Sequence, residues 1–131
     1  MTLADSSAKK TVTSVSFTGV GSGKAFAPTV TITGSNFGNV APPPNPASPT
    51  SCGTPSSGFD YGKLLYLNNW TTGWQIGHDG DCIGFVINSW SKTQIKLTFG
   101  DFYFDPQYPG LQSGDQYAMV VKGATFTGTV S

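Results

Sequence analysis

Nowhere along this chain do apolar side chains recur at helical spacing; where a period exists, it is two. The clearest stretch is residues 93–99, where Ile95, Leu97 and Phe99 alternate with Gln94, Lys96 and Thr98. Such alternation turns one set toward a core and the other toward solvent. Residues 11–18 repeat it with Val15 and Phe17, and residues 29–33 with Val30 and Ile32. Residues 63–68 and 82–87 are apolar on both faces and read as two further strands. Residues 116–121 and 124–130 predict a closing hairpin about Lys122-Gly123. About seven short strands punctuated by turns predict an all-β chain folded as a single β-sandwich.

Composition agrees and narrows the partners. There are seven lysines and seven aspartates, no arginine and no glutamate, so the net charge is zero. Without the planar fork of arginine, nucleic-acid recognition is not expected. No run is apolar and long enough to span a membrane, so no membrane partner is expected. A length of 131 residues suits one domain. Residues 11–131 are read as that domain and residues 1–10, polar throughout, as a disordered N-terminal tail.

One segment resists the sheet. Residues 39–58 hold Pro42, Pro43, Pro44, Pro46, Pro49 and Pro55, and proline has no donor for a ladder. A loop of this length in a compact domain needs a tie. Cys52 and Cys82 are expected to supply one as a disulfide, closing a loop of about 30 residues worth roughly 3–4 kcal/mol. Two unpaired thiols are the alternative. Two cysteines in a low-charge chain rich in Gly, Ser and Thr suggest an extracellular, secreted protein. The N-terminal Met1-Thr2-Leu3-Ala4-Asp5 has no apolar signal region, so the chain is expected to be a domain of a longer secreted protein.

The candidate site is Asn69-Trp70-Thr71-Thr72-Gly73-Trp74-Gln75-Ile76-Gly77-His78. Tryptophans among Gly, Thr and Asn read as loop, and a ring exposed there is often covered by a ligand. Flat apolar faces beside neutral donors and acceptors suit a pyranose ring, with Trp70 and Trp74 stacking and Asn69, Gln75 and His78 reading hydroxyls. Extended, the two rings would share a face about 13 Å apart; in a turn they would form two sides of a clamp. The competing reading is that one ring plugs the end of the sandwich. A second aromatic cluster runs from Asp101 to Tyr108, where alternation predicts Phe102 and Phe104 inward and Tyr103 outward. Tyr103 and Tyr108 are thus lesser ligand candidates. Asp79 and Asp81 suit either a structural calcium ion or plain Asx turns. No other cofactor is expected. No catalytic carboxylate pair and no Gly-x-Ser-x-Gly elbow is present, so the domain is not expected to be an enzyme.

Three motifs resemble the IPT/TIG group of immunoglobulin-like domains. Val30-Thr31-Ile32-Thr33-Gly34-Ser35-Asn36-Phe37-Gly38 resembles its early strand and Gly-x-x-Phe-Gly turn. Ser89-Trp90-Ser91-Lys92-Thr93-Gln94-Ile95 is similar to its Trp-Ser-x-Thr-x-Ile entry to a later strand, where the tryptophan packs. Gly114-Asp115-Gln116-Tyr117 matches the Gly-Asp before the closing hairpin. These pieces cover roughly a quarter of the chain. The departure is the insertion over residues 39–81. The resemblance implies an immunoglobulin-like or jelly-roll-like sandwich, of a kind often appended to secreted bacterial polysaccharide-degrading enzymes. The whole also resembles the family 81 carbohydrate-binding modules, which bind β-glucans. That resemblance implies a monomeric module that carries its parent glycoside hydrolase, in the same chain, to cellulose, mixed-linkage glucan or xyloglucan. An immunoglobulin-like spacer or adhesion domain without a sugar site is the rival expectation.

Overall fold

A computed structural model describes residues 10–20, 28–44, 58–77, 83–100, 103 and 110–130. Among the described residues eight strands run in chain order: β1 (Thr11–Thr18), β2 (Thr29–Ser35), β3 (Leu65–Asn69), β4 (Gln75–Ile76), β5 (Phe85–Trp90), β6 (Gln94–Phe99), β7 (Gln116–Val121) and β8 (Ala124–Thr129). They form two four-stranded antiparallel sheets, ordered β1-β2-β6-β5 and β4-β3-β7-β8. Both sheets contribute to one core: Val30, Ile32, Ile95 and Leu97 from the first meet Leu65, Leu67, Met119 and Val121 from the second. The architecture is a β-sandwich.

The alternation read in residues 93–99 holds. Ile95, Leu97 and Phe99 are buried, while Gln94 and Lys96 are exposed. Each such side chain withdrawn from water contributes about 1.5–3 kcal/mol. In β1 the face is set by Val12, Val15 and Phe17, with a bulge between Val12 and Ser14. The Phe17 ring then meets Tyr117 of the other sheet edge-on at 5.0 Å. The predicted hairpin at Lys122-Gly123 is present, and both residues have positive φ, 48° and 93°. That is the type I′ geometry whose twist matches the flanking strands.

Two sequence readings are corrected. The strand read at residues 63–68 starts later: Gly62–Leu64 is a 3₁₀ turn with Leu64 exposed, and β3 alternates from Leu65 to Asn69. The strand read at residues 82–87 is likewise shifted: β5 runs from Phe85 to Trp90, with Phe85 buried and Val86 exposed. Strand β4 has only two residues, too few to leave a period in the sequence. The insertion's described part is tied to β5. Phe59 and Phe85 exchange backbone bonds of 3.0 Å, Tyr61 N donates to Gly77 O, and Gly77 N donates to Ile83 O. Gly77 has φ 80°, and a Cβ there would stand 2.3 Å from the Phe85 ring. Only glycine fits this position.

The expected tail, apart from Lys10, and most of the Pro-rich segment lie outside the described residues, as do Cys52 and Cys82.

Candidate functional site

The segment that carries the tryptophans is the turn joining β3 to β4, and Asn69 builds it. Its backbone N donates to Trp74 O at 2.9 Å, and its backbone O accepts from Gly73 N at 2.8 Å. Its side-chain Oδ1 accepts from Thr71 N and Thr72 N at 3.0 and 3.2 Å, an Asx turn. Its Nδ2 donates to Asp115 Oδ2 at 2.9 Å, entirely within the protein. The same Oδ2 accepts from Gln112 N at 3.0 Å. Gln116 N donates to Thr71 Oγ1 at 2.8 Å, and Trp70 N donates to Gln116 O at 2.8 Å. The turn is therefore wired to the start of β7 on both its side-chain and backbone atoms. Such wiring holds a loop in one geometry before any ligand arrives.

The expected sugar-reading role of Asn69 is thereby corrected. Asn69 is fully buried, and both polar atoms of its side chain are committed within the protein. Tyr103 is corrected too: it is 2% exposed, not outward. Its ring stacks on Phe99 at 5.3 Å and its hydroxyl accepts from Leu111 N at 3.1 Å. Alternation failed there because residue 103 belongs to no strand. Burial raises the Tyr103 pKa above its ordinary value, and the nearby Asp115 adds to the rise. Burial raises Tyr61 and Tyr117 in the same way.

The two tryptophans part company. Trp74 stands opposite Asn69 on the inward side of the hairpin, part-buried and packed against the core. Trp70 is 53% exposed, the one aromatic side chain among the described residues with so open a position. They do not present one shared exposed face. Trp90, the last residue of β5, packs as expected: its Nε1 donates to Phe37 O at 3.3 Å and its ring meets Phe37 edge-on. His78, Asp79, Asp81 and Tyr108 lie outside the described residues. Among the described residues, no group of three His, Cys, Asp or Glu could hold a metal ion.

The register reveals a surface that the sequence reading did not assemble. The alternation that turns Leu65, Leu67 and Asn69 inward sets Tyr66 and Asn68 on the outer side of the second sheet. Gln75, Asn68, Ala118 and Thr127 form one rung across it, and Tyr66, Val120 and Thr125 form another. Gln116 and Thr129 form a third, beside Trp70. No charged residue stands on these rungs. Ala118 and Val120 are buried at its centre, while Gln116, Thr125, Thr127 and Thr129 are exposed. Of the predicted site, the structure thus brings Trp70 and Gln75 to the edges of one neutral face and adds Asn68, Tyr66, Gln116 and the β8 threonines. A period of two in Leu65-Tyr66-Leu67-Asn68 was the available signal. The apolar Leu64 of the preceding 3₁₀ turn obscures it.

No protein-family model, no curated protein and no solved structure matches the chain.

Proposed function

We propose that the chain is a non-catalytic carbohydrate-binding module for neutral β-glucans, such as cello-oligosaccharides, mixed-linkage glucan and xyloglucan. The carrying observation is the exposed Trp70 ring on a turn held rigid by Asn69 and Asp115. A rigid, exposed aromatic ring loses little entropy when a pyranose face stacks on it. The adjoining face of Asn68, Gln75, Gln116 and threonines offers uncharged donors and acceptors to the hydroxyl rim. The lack of charge on this face favours a neutral polymer over a uronate one. One stacked ring with exposed hydrogen bonds supports affinities of roughly micromolar to millimolar Kd. In this reading the module is secreted by a bacterium, monomeric, and linked in one chain to a glycoside hydrolase.

The rival reading, an immunoglobulin-like spacer or adhesion domain, draws support from the strand order. In immunoglobulin lettering the two sheets read A-B-E-D and C′-C-F-G. The partial burial of Trp74 and Trp90 also suits a spacer. Electrophoresis through gels containing β-glucan or xyloglucan separates the two. Retardation of the parent that is lost in Trp70→Ala supports the module; no retardation in any gel leaves the spacer. The Cys52–Cys82 disulfide belongs to the same secreted reading, and mass spectrometry after alkylation without reductant tests it, two alkylated thiols refuting it.

A further inference from the structure

The fold gathers lysines that the sequence scatters. Lys10 precedes β1, Lys92 lies in the β5–β6 turn and Lys122 in the β7–β8 turn. These positions share the end of the sandwich where β1 begins and β5 and β7 finish, whereas Trp70 lies where β7 begins. The residues 36–39 turn joins them. Phe37 N donates to Lys92 O at 3.0 Å, and the Lys122 ammonium donates to Phe37 O at 3.3 Å while lying 5.3 Å from the Trp90 ring centre. Against this turn opens a pocket of about 360 Å³ lined by Asn36, Gly38, Asn39 and Lys92. The Lys122 ammonium sits at its margin, 3.9 Å from where a Gly38 Cβ would stand.

Among the described residues, three lysines and no carboxylate are placed at this end. The Lys122 pKa is lowered, first by burial and then by the Lys10 charge. An anion docking beside it would offset both effects. The volume falls in the range of about 300–1,000 Å³ typical of small-ligand sites, more than a bare inorganic anion fills. Its lining pairs one ammonium group, that of Lys92, with the amides of Asn36 and Asn39, which both donate and accept, and the Lys122 ammonium lies close by beyond Gly38.

We propose that this pocket binds a uronate residue of an acidic polysaccharide, Lys92 and Lys122 meeting the carboxylate and the Asn36 and Asn39 amides the ring hydroxyls. The site is independent of the glucan reading at Trp70, and either can fail alone.

The test follows backbone amides by nuclear magnetic resonance while oligogalacturonate, its methyl ester or sodium phosphate is titrated into the folded chain. Oligogalacturonate should shift the Gly38, Asn39 and Lys92 amides, and equally so in Trp70→Ala. Lys92→Gln should weaken this binding roughly two- to fivefold, the size expected of an exposed charge contact, and Lys92→Arg should retain it. Raising salt from about 0.05 to about 0.5 M should weaken it as well. The proposal is overturned if these amides do not move. It is equally overturned if the methyl ester moves them as strongly, or if phosphate does so at the same concentration.

Discussion

Replacing Asn69 by alanine separates a residue that builds the site from one that touches the ligand. The substitution removes the 2.9 Å bond to the Asp115 carboxylate and both acceptor bonds to Thr71 N and Thr72 N. A hydrogen bond to a charged group contributes about 1.5–3 kcal/mol, and a buried carboxylate left short of a donor adds its own desolvation cost. The Thr71 N–H can turn to water, since Thr71 is exposed, so its loss adds little. The expected cost is about 2–4 kcal/mol of stability. For a domain of this length that lowers Tm by on the order of 10 °C. Thermal and urea unfolding followed by circular dichroism measure it, and a cycle with Asp115→Asn measures the pair's coupling, expected at about 1–2 kcal/mol. Glucan affinity should fall as well, because the turn that presents Trp70 loses its frame. A Tm unchanged within about 2 °C together with lost binding would refute the reasoning. Asn69 would then be reading sugar directly, and the buried wiring would carry no weight.

Other perturbations sort the remaining residues. Trp70→Ala should cost binding on the order of 1–2 kcal/mol with Tm nearly unchanged, whereas Trp74→Ala and Trp90→Ala should each lower stability by about 2–3 kcal/mol; parallel melting curves and gel retardation distinguish them. Gly77→Ala should be severely destabilising, since it combines φ 80° with overlap of the Phe85 ring, and the yield of folded protein is the readout. Alkali should unfold the protein earlier than its composition suggests. Burial raises the folded-state pKa of Tyr61, Tyr103 and Tyr117 above the ordinary 10.0. The unfolded chain therefore releases these protons first, and stability present below pH 10 is lost as pH rises toward the folded values. Melting temperatures between pH 8 and 11.5, with Tyr103→Phe as comparison, check this. If Asp79 or Asp81 holds calcium, chelator should lower Tm; no change with chelator or added calcium leaves the Asx turns.

The parts of the fold that were legible in sequence are those decided by neighbours along the chain. The inward set of β6 and the bounds of β1 follow from alternation ended by turn residues, and Lys122-Gly123 announces the turn between β7 and β8. The site was less legible because it depends on partners far along the chain. Asn69 looks like a surface amide until Asp115, 46 positions away, comes beside it. Trp74 looks exposed in its local sequence. Pairing with Asn69 then turns it toward the core. Tyr103 shows the opposite failure, a local rule applied where no strand exists to enforce it. Trp90 packs on Phe37 as its resemblance to a packing position implies, because that resemblance carries tertiary information that periodicity lacks.

Charge shows most plainly what a sum conceals. Equal numbers of lysine and aspartate give a net charge of zero, from which a neutral partner follows only if the charges are mixed. They are not mixed. The outer rungs of the second sheet carry none, while Lys10, Lys92 and Lys122 converge at one end. The two surfaces should therefore answer salt differently. Stacking on Trp70 and hydrogen bonds from uncharged groups gain nothing from a long-range field, so glucan binding should be insensitive to ionic strength. Contacts made by exposed ammonium groups are screened within about 10 Å at 0.1 M salt. A single protein should thus show one binding activity that persists in high salt and one that fades. If both fade together, the glucan contact also depends on charge and does not lie on the neutral face. If neither fades, the lysine end is not where an acidic polymer binds.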